Sequence, residues 1–252
     1  VTYDGYRAIL AEQARLPPSE WTFKRIPGYQ QILEHVTPTW GHAYLAAMQA
    51  DFPDDWRLYK QNFVESALHN DSLGNPECVE FPEIGLLCSP TNLRYMHQAL
   101  CIEQHIAEMG LARVHAIEIG GGYGGLAWFL RRAFAWRWLE YTIIDLPEAG
   151  AIQRAYAQDL GFSITTVDCT DADAISDAVN RHAPTTRFLI SAYGFSEFTE
   201  DIRAMYERLI VQHVPHGWLV WNMIPIYYFT SVAMTVSPER PETARGNLLV
   251  RF

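Results

Sequence analysis

A chain of 252 residues that is 49% apolar and 13% aromatic can bury one large core, or one core with a helical appendage, which argues against disorder. Its formal net charge of −10 is offset by no local run of Lys or Arg and repels phosphate backbones and anionic lipid. Nucleic acid and membrane surfaces are therefore not expected partners.

Residues 1–88 are punctuated by Pro17, Pro18, Pro27, Pro38 and Pro53 and carry short amphipathic pieces rich in Trp and Tyr. They are expected to form a helical cap. PTNLRYMHQALCIEQHIAEMG, with Pro at its start and Gly at its end, reads as one long helix. From Val114 onward, short β-rich runs alternate with helical patterns, as in repeated βα units with a parallel sheet. The runs are VHAIEIG (114–120), LEYTIID (139–145), SITTVDC (163–169), RFLISAY (187–193) and GWLVWNMI (217–224); their near-continuous apolar character predicts strands covered on both faces. Between them, LAWFLRRAFAW and TEDIRAMYERLIVQHV read as crossover helices, the second presenting Ile202, Met205, Leu209 and Ile210 at helical spacing. SVAMTVS, the turn-rich SPERPETARGN and NLLVRF then predict an antiparallel hairpin. The expected architecture is α/β, a doubly wound domain over residues 89–252 behind the cap of 1–88.

No apolar stretch reaches the roughly 18–20 residues that span a bilayer, and the N-terminus lacks a signal-peptide core, so a cytoplasmic protein is expected. The start at Val1 and the end inside an apolar run at Phe252 suggest a processed, trimmed or excised segment, such as part of a larger multidomain protein. Cys78, Cys88, Cys101 and Cys169 show no CxxC or Cys/His spacing and are read as four separate buried thiols. His42, His105, His182, His213 and His216 show no ligand spacing either, so neither zinc nor any other metal is expected. Most Trp and Tyr residues are assigned to packing; Trp40, Trp56 and Tyr59 become stacking platforms only if the cap covers a cofactor mouth.

The most informative stretch is AIEIGGGYGGLAWFL, a strand running through glycines into a helix. Glycines allow a tight turn and close approach of a ligand, and the helix N-terminus offers free N–H groups. Gly120, Gly122 and Gly125 satisfy the dinucleotide pattern GxGxxG, whereas Gly120, Gly122 and Gly124 satisfy the methyltransferase pattern GxGxG. Glu118, two places before the first glycine, suits the ammonium and sulfonium of S-adenosylmethionine (SAM) better than a pyrophosphate; the plainer reading is a strand-end acid bonded to backbone N–H groups. Asp145 ends the second strand, where it can accept from a ribose diol or cap the helix beginning at Leu146 and Pro147. Asp168 ends the third, where it can accept an adenine amine or cap a helix starting at Asp171. As a set, the three acids fit adenosine with a cationic tail.

NDSLGNP (70–76), SPTNLRY (89–95), EIGGGYGGLAWFL (118–130), YTIIDLPE (141–148), SAYGFSEF (191–198) and, more loosely, SPERPETARGN (237–247) resemble the sugar O-methyltransferase family of class I methyltransferases. The resemblance runs from residue 70 onward. It implies a Rossmann-like, mostly parallel seven-stranded sheet with an antiparallel last strand, SAM as methyl donor, and a sugar hydroxyl, often in a surface glycan, as acceptor.

A sugar hydroxyl needs a general base within hydrogen-bond reach. Glu197, in the loop after the fourth strand, is the first choice, with His69 and Asp71 as reserves; the alternative for Glu197 is an N-terminal acid on the helix from Thr199. Tyr193 and Asn222 would orient the acceptor, or be buried with their bonds satisfied. Arg94 would pair with the SAM carboxylate and Tyr95 face the sulfonium, or they are a helix-surface Arg and a core Tyr. Leu146 and Ser191 complete the cofactor set. Asn70, Asp71, Gly74 and Asn75 form an acceptor or cofactor wall, or a plain turn. Two rival functions remain, an NAD-dependent oxidoreductase, which the scarcity of Lys and the lack of a Tyr-x-x-x-Lys disfavour, and a non-catalytic SAM-binding module of a larger glycan-assembly protein. The cap also offers a surface for a homodimer.

Overall fold

The computed structural model describes residues 3–252. The backbone groups into two compact units, one of Val1–Glu103, Gly122–Ala135 and Ala151–Phe162, the other of Gln104–Gly121, Trp136–Gly150 and Ser163–Phe252.

The first unit is mainly helical: α1 (Tyr3–Gln13), α2 (Pro27–Gln30), α3 (Pro38–Asp51), α4 (Pro53–Asp71), most of α5 (Pro90–Glu108), α6 (Gly125–Ala133) and the later turns of α7 (Pro147–Asp159). Five of these helices begin on a proline, whose fixed φ suits the first helical position and whose missing N–H is not needed there. Thr37 caps α3 by accepting from Trp40 N, and Asp54 and Asp55 lie at the positive end of α4. Phe23, Tyr29, Met48, Phe63, Met96 and Phe129 are buried. Trp128 of α6 donates Nε1 to Ser66 O of α4 at 2.9 Å, which fixes how the two helices pack. Contrary to the all-helical expectation, this unit includes an antiparallel hairpin of β1 (Val79–Phe81) and β2 (Leu86–Cys88). Its strands are three residues each, too short for alternation to stand out in the sequence.

The second unit holds a seven-stranded sheet of β3 (Val114–Ile119), β4 (Trp138–Asp145), β5 (Thr165–Asp168), β6 (Arg187–Ala192), β7 (His216–Trp221), β8 (Thr235–Pro238) and β9 (Leu248–Arg251), in the order β5-β4-β3-β6-β7-β9-β8. The chain moves outward from β3 first to β5 and then to β7, all parallel, and β9 inserts antiparallel between β7 and β8. This is the doubly wound, mostly parallel sheet with an antiparallel last strand that the run pattern implied. Ile117, Ile119, Ile144, Leu189 and Leu219 form one core with Ile175 of α8 (Ala172–Asn180) and Tyr206 of α9 (Glu200–Leu209).

Several local expectations need correction. The fifth parallel strand ends at Trp221, so Asn222, Met223 and Ile224 leave the sheet. Ile202 is 39% exposed, because α9 turns Tyr206 inward with Met205, Leu209 and Ile210 packed on the core. The four cysteines are thiols, but Cys78 is exposed and Cys101 and Cys169 are half-buried. Trp56 and Tyr59 pack against Phe63 and Phe134 as ordinary aromatic pairs.

Glu207 of α9 anchors the segment after β7, accepting from Tyr227 Oη at 2.7 Å, Thr230 Oγ1 at 2.8 Å and Ser231 N at 2.9 Å. Burial alone would raise this carboxyl, but the hydrogen bonds more than offset it and bring its pKa to about 2. A folded-state pKa below the unfolded one stabilises the fold above the unfolded pKa, and that contribution fades as pH falls from about 4.5 toward 2. Glu207→Gln is expected to remove on the order of 2–3 kcal/mol at pH 7 and to flatten this acid limb. Urea midpoints that match the parent at pH 7 would refute it.

Candidate functional site

The strand order reverses direction at β3, between β4 and β6, and in open α/β sheets ligands bind outside the carboxyl ends of strands at such a point. Glu118, penultimate in β3, is 2% exposed and accepts from Tyr141 Oη at 3.0 Å. Burial, with the Asp145 carboxylate adding to it, raises Glu118 to about 8 despite the Tyr141 bond, so it is largely protonated at neutral pH. A Cβ at Gly121 would lie 2.7 Å from Ile143 Cγ2 and 3.0 Å from Glu118 Oε2. Only glycine lets the loop backbone settle onto this carboxyl. Gly120 has φ +72, and a Cβ there would meet Gly194 Cα at 3.3 Å, so the turns after β3 and β6 pass closely. Tyr141, buried inside an apolar strand, was not singled out from the sequence; the polar pair Tyr141 and Thr142 within the run was its only signal.

Asp145 and Asp168 are paired in register at the ends of β4 and β5. Asp145 Oδ1 accepts from Leu146 N at 2.8 Å, at the entry to α7. Asp168 does not cap α8. It accepts from Thr170 N at 2.9 Å and Thr170 Oγ1 at 2.8 Å, while Asp171 caps that helix through Ala174 N.

Beyond β6, Ser191 donates to Ile119 O at 2.9 Å and accepts from Phe195 N at 3.0 Å, tying this turn to the end of β3. Tyr193 has φ +71, a strained conformation for a bulky residue. Its N–H donates to Val220 O and its hydroxyl to Glu239. Glu197 is exposed and lies in the short turn Gly194–Glu197, ahead of α9, whose own first-turn acids are Glu200 and Asp201. Its Oε1 accepts from Asn222 Nδ2 at 2.8 Å, and Asn222 N donates to Ser196 Oγ. Glu118, Gly120, Asp145, Leu146, Asp168, Ser191, Tyr193, Glu197 and Asn222 thus all stand at the carboxyl rim of one sheet.

The remaining sequence candidates belong to the helical unit. Gly122 and Gly124 have φ +59 and +96, and a Cβ at Gly122 would meet Leu33 Cδ1 at 2.7 Å. Arg94 is not on the helix surface: it is 4% exposed and donates Nη2 to Leu33 O at 2.7 Å. Tyr95 is buried beside Tyr123 and Phe129. Asp71 Oδ2 accepts from Ser89 N and Asn92 Nδ2, each at 2.7 Å, so it joins the end of α4 to the start of α5. His69 is exposed, with Nδ1 2.7 Å from Glu65 O of its own helix. Asn75 is left-handed, φ +51, and its carbonyl accepts from Arg25 Nε.

Sequence reading placed Asn70 in a wall or a plain turn and missed Lys24, Tyr123 and Tyr156 as its partners in a buried polar network. Asn70 is 1% exposed; its amide donates to Asn92 Oδ1 at 2.6 Å and Tyr123 Oη at 3.1 Å, and its Oδ1 accepts from Tyr156 Oη at 2.7 Å. Lys24 Nζ, fully buried, donates to Asn70 O at 2.6 Å and Oδ1 at 3.2 Å. Lys24 belongs to no motif; its sequence signal was rarity, since Lys60 is the other lysine of the chain. Among the described residues, no group of three or more His, Cys, Asp or Glu is placed to hold a metal ion, and no helix is long and apolar enough to cross a membrane.

No protein-family profile and no curated protein matches the chain. Among solved structures it is similar to an S-adenosylmethionine-dependent methyltransferase from Clostridium acetobutylicum, at 16% identity over 49% of either chain with a TM-score of 0.40. It thus spans about half the length of that protein. MtNAS in complex with MTA and tNA is similar at 13% identity, over 100% of this chain and 97% of the other, with a TM-score of 0.45. The mitomycin 7-O-methyltransferase MmcR is similar at 13% identity, over 88% and 74%, with a TM-score of 0.40.

Proposed function

We propose that this chain is a SAM-dependent O-methyltransferase whose acceptor is a sugar hydroxyl. The observation that carries the reading is the buried Glu118 carboxyl directly beneath the glycine turn at the switch point of the sheet. A protonated acid in a dry site becomes a strong partner for an incoming cation by giving up its proton, and SAM carries an ammonium and a sulfonium. The residues fit that molecule: Glu118 would hold the charged tail, Asp145 at the end of β4 the ribose diol and Asp168 beside it the adenine amine, with Gly121 letting the turn lie against Glu118. An NAD pyrophosphate would gain nothing from Glu118.

SAM supplies a methyl carbon already activated by its sulfonium. Alignment and exclusion of water are then the protein's main tasks. Glu197 would accept the proton of the acceptor hydroxyl while bound SAM gave its methyl group to that oxygen, its carbon–sulfur bond breaking to leave S-adenosylhomocysteine. Asn222, donating to Glu197 Oε1, holds that carboxylate in place, and Tyr193, fixed by Glu239, lines the acceptor side. His69 Nδ1 lies 2.7 Å from the Glu65 carbonyl of its own helix and Asp71 Oδ2 ties α4 to α5, whereas Glu197 is exposed at the carboxyl rim of the sheet, which favours Glu197 as the base.

Calorimetry of the full chain with SAM and with S-adenosylhomocysteine is expected to show binding of both, weakened about tenfold to a hundredfold by Asp145→Ala through loss of the diol bonds. Silence with both ligands, or enhanced NADH fluorescence in their place, would overturn the reading. A screen of nucleotide sugars and lipid-linked glycans with radiolabelled SAM then tests the acceptor class; tight SAM binding with no transfer would make the chain a binding module.

A further inference from the structure

The helical unit contains a cavity of about 420 Å³, within the roughly 300–1,000 Å³ of small-molecule sites. Its polar lining includes Lys24, Glu34 and Ser89, and its apolar lining includes Val36, Val79 and Pro90. Glu34 is half-spoken for: Oε2 accepts from Ser89 Oγ at 3.1 Å, whereas Oε1 is buried with no partner at ordinary hydrogen-bond geometry among the described residues, the Thr91 hydroxyl being the group beside this carboxyl. An unmet buried carboxyl oxygen is costly unless something visits it. Lys24 carries a third N–H beyond its two bonds to Asn70.

We propose that this cavity binds a neutral carbohydrate, with one hydroxyl bridging Glu34 and Lys24 and the ring's C–H face against Val36, Val79 and Pro90. A hydroxyl is the group that donates to Glu34 and accepts from Lys24 at once. Glu34, Glu77 on the same lining and the nearby Asp71 oppose an anion, and the Lys24 amine opposes a cation. Binding here needs no cofactor; its connection with methyl transfer rests on the reading above.

The test is saturation-transfer NMR on the full chain without SAM. The probes are methyl glycosides of glucose, galactose, mannose, rhamnose and N-acetylglucosamine, with gluconate and spermidine as charged controls. At least one glycoside is expected to bind, and Glu34→Ala to weaken it about tenfold or more. Val79→Trp fills part of the cavity while keeping both charged groups and is expected to abolish the signal in a folded chain, which keeps the location testable should Glu34→Ala fail to fold. Silence of every glycoside, preference for gluconate or spermidine, or full retention of binding in folded Val79→Trp would each overturn the proposal. Glycoside binding in a chain that ignores SAM would sink the methyltransferase reading alone, and the reverse result would sink this one alone.

Discussion

Binding of SAM at pH 7 is expected to release close to one proton, from Glu118. With a pKa of about 8 in the free protein, this carboxyl is mostly neutral at pH 7, and a cation seated against it converts it to the carboxylate. The observed calorimetric enthalpy should therefore differ between phosphate and Tris at the same pH by the difference in buffer ionisation heats. Affinity should rise roughly tenfold per pH unit from about 6 to 8 and level off above. Glu118→Gln should abolish the buffer dependence, flatten the pH profile and weaken binding at pH 8 about tenfold to a hundredfold. A buffer-independent enthalpy in the parent chain would show that Glu118 does not meet the cation. Stability of the free protein carries the opposite sign to the Glu207 case. A folded-state pKa raised from 4.5 to about 8 means that the folded form binds the extra proton, so stability falls as pH rises through that window. Glu118→Gln removes the fall.

The second large effect is on turnover. Glu197→Gln keeps the shape and the Asn222 contact but cannot accept a proton, so kcat is expected to drop about 10²- to 10⁴-fold while SAM affinity stays within about twofold. The measurement is methyl transfer to the acceptor found with radiolabelled SAM, beside calorimetry of the same variant. Asn222→Ala, which frees the carboxylate without removing it, is expected to cost kcat about tenfold. Undiminished turnover in Glu197→Gln would remove Glu197 as the base, whatever became of Asn222→Ala.

The sequence had placed Glu118 at a strand end and Glu197 in the loop after a strand, and this shows where sequence reading is strong. Apolar runs followed by helical periodicity determined the strands, their order of appearance and the doubly wound character, because burial on both faces of a parallel sheet forces continuous apolar stretches. The glycine turn and the acids at 118, 145 and 168 were legible for the same reason: a strand that ends in a crevice ends in residues unlike its interior. The proline-started helices were also local, set by the fixed φ of the ring.

What chain order could not reveal was which polar groups lose their water. Tyr141 under Glu118, the strained Tyr193 held by Glu239, and Lys24 meeting Asn70 across 46 positions are partnerships made when separate elements pack. The same packing buries Arg94 against Leu33 and sets the Glu34 carboxyl between Ser89 and Thr91. Strand ends are dictated by nearest neighbours along the chain, so the residues themselves announce them. Desolvation, and with it the raised pKa of Glu118 and the polar lining of the cavity, is set by whatever folds over a group from a distance.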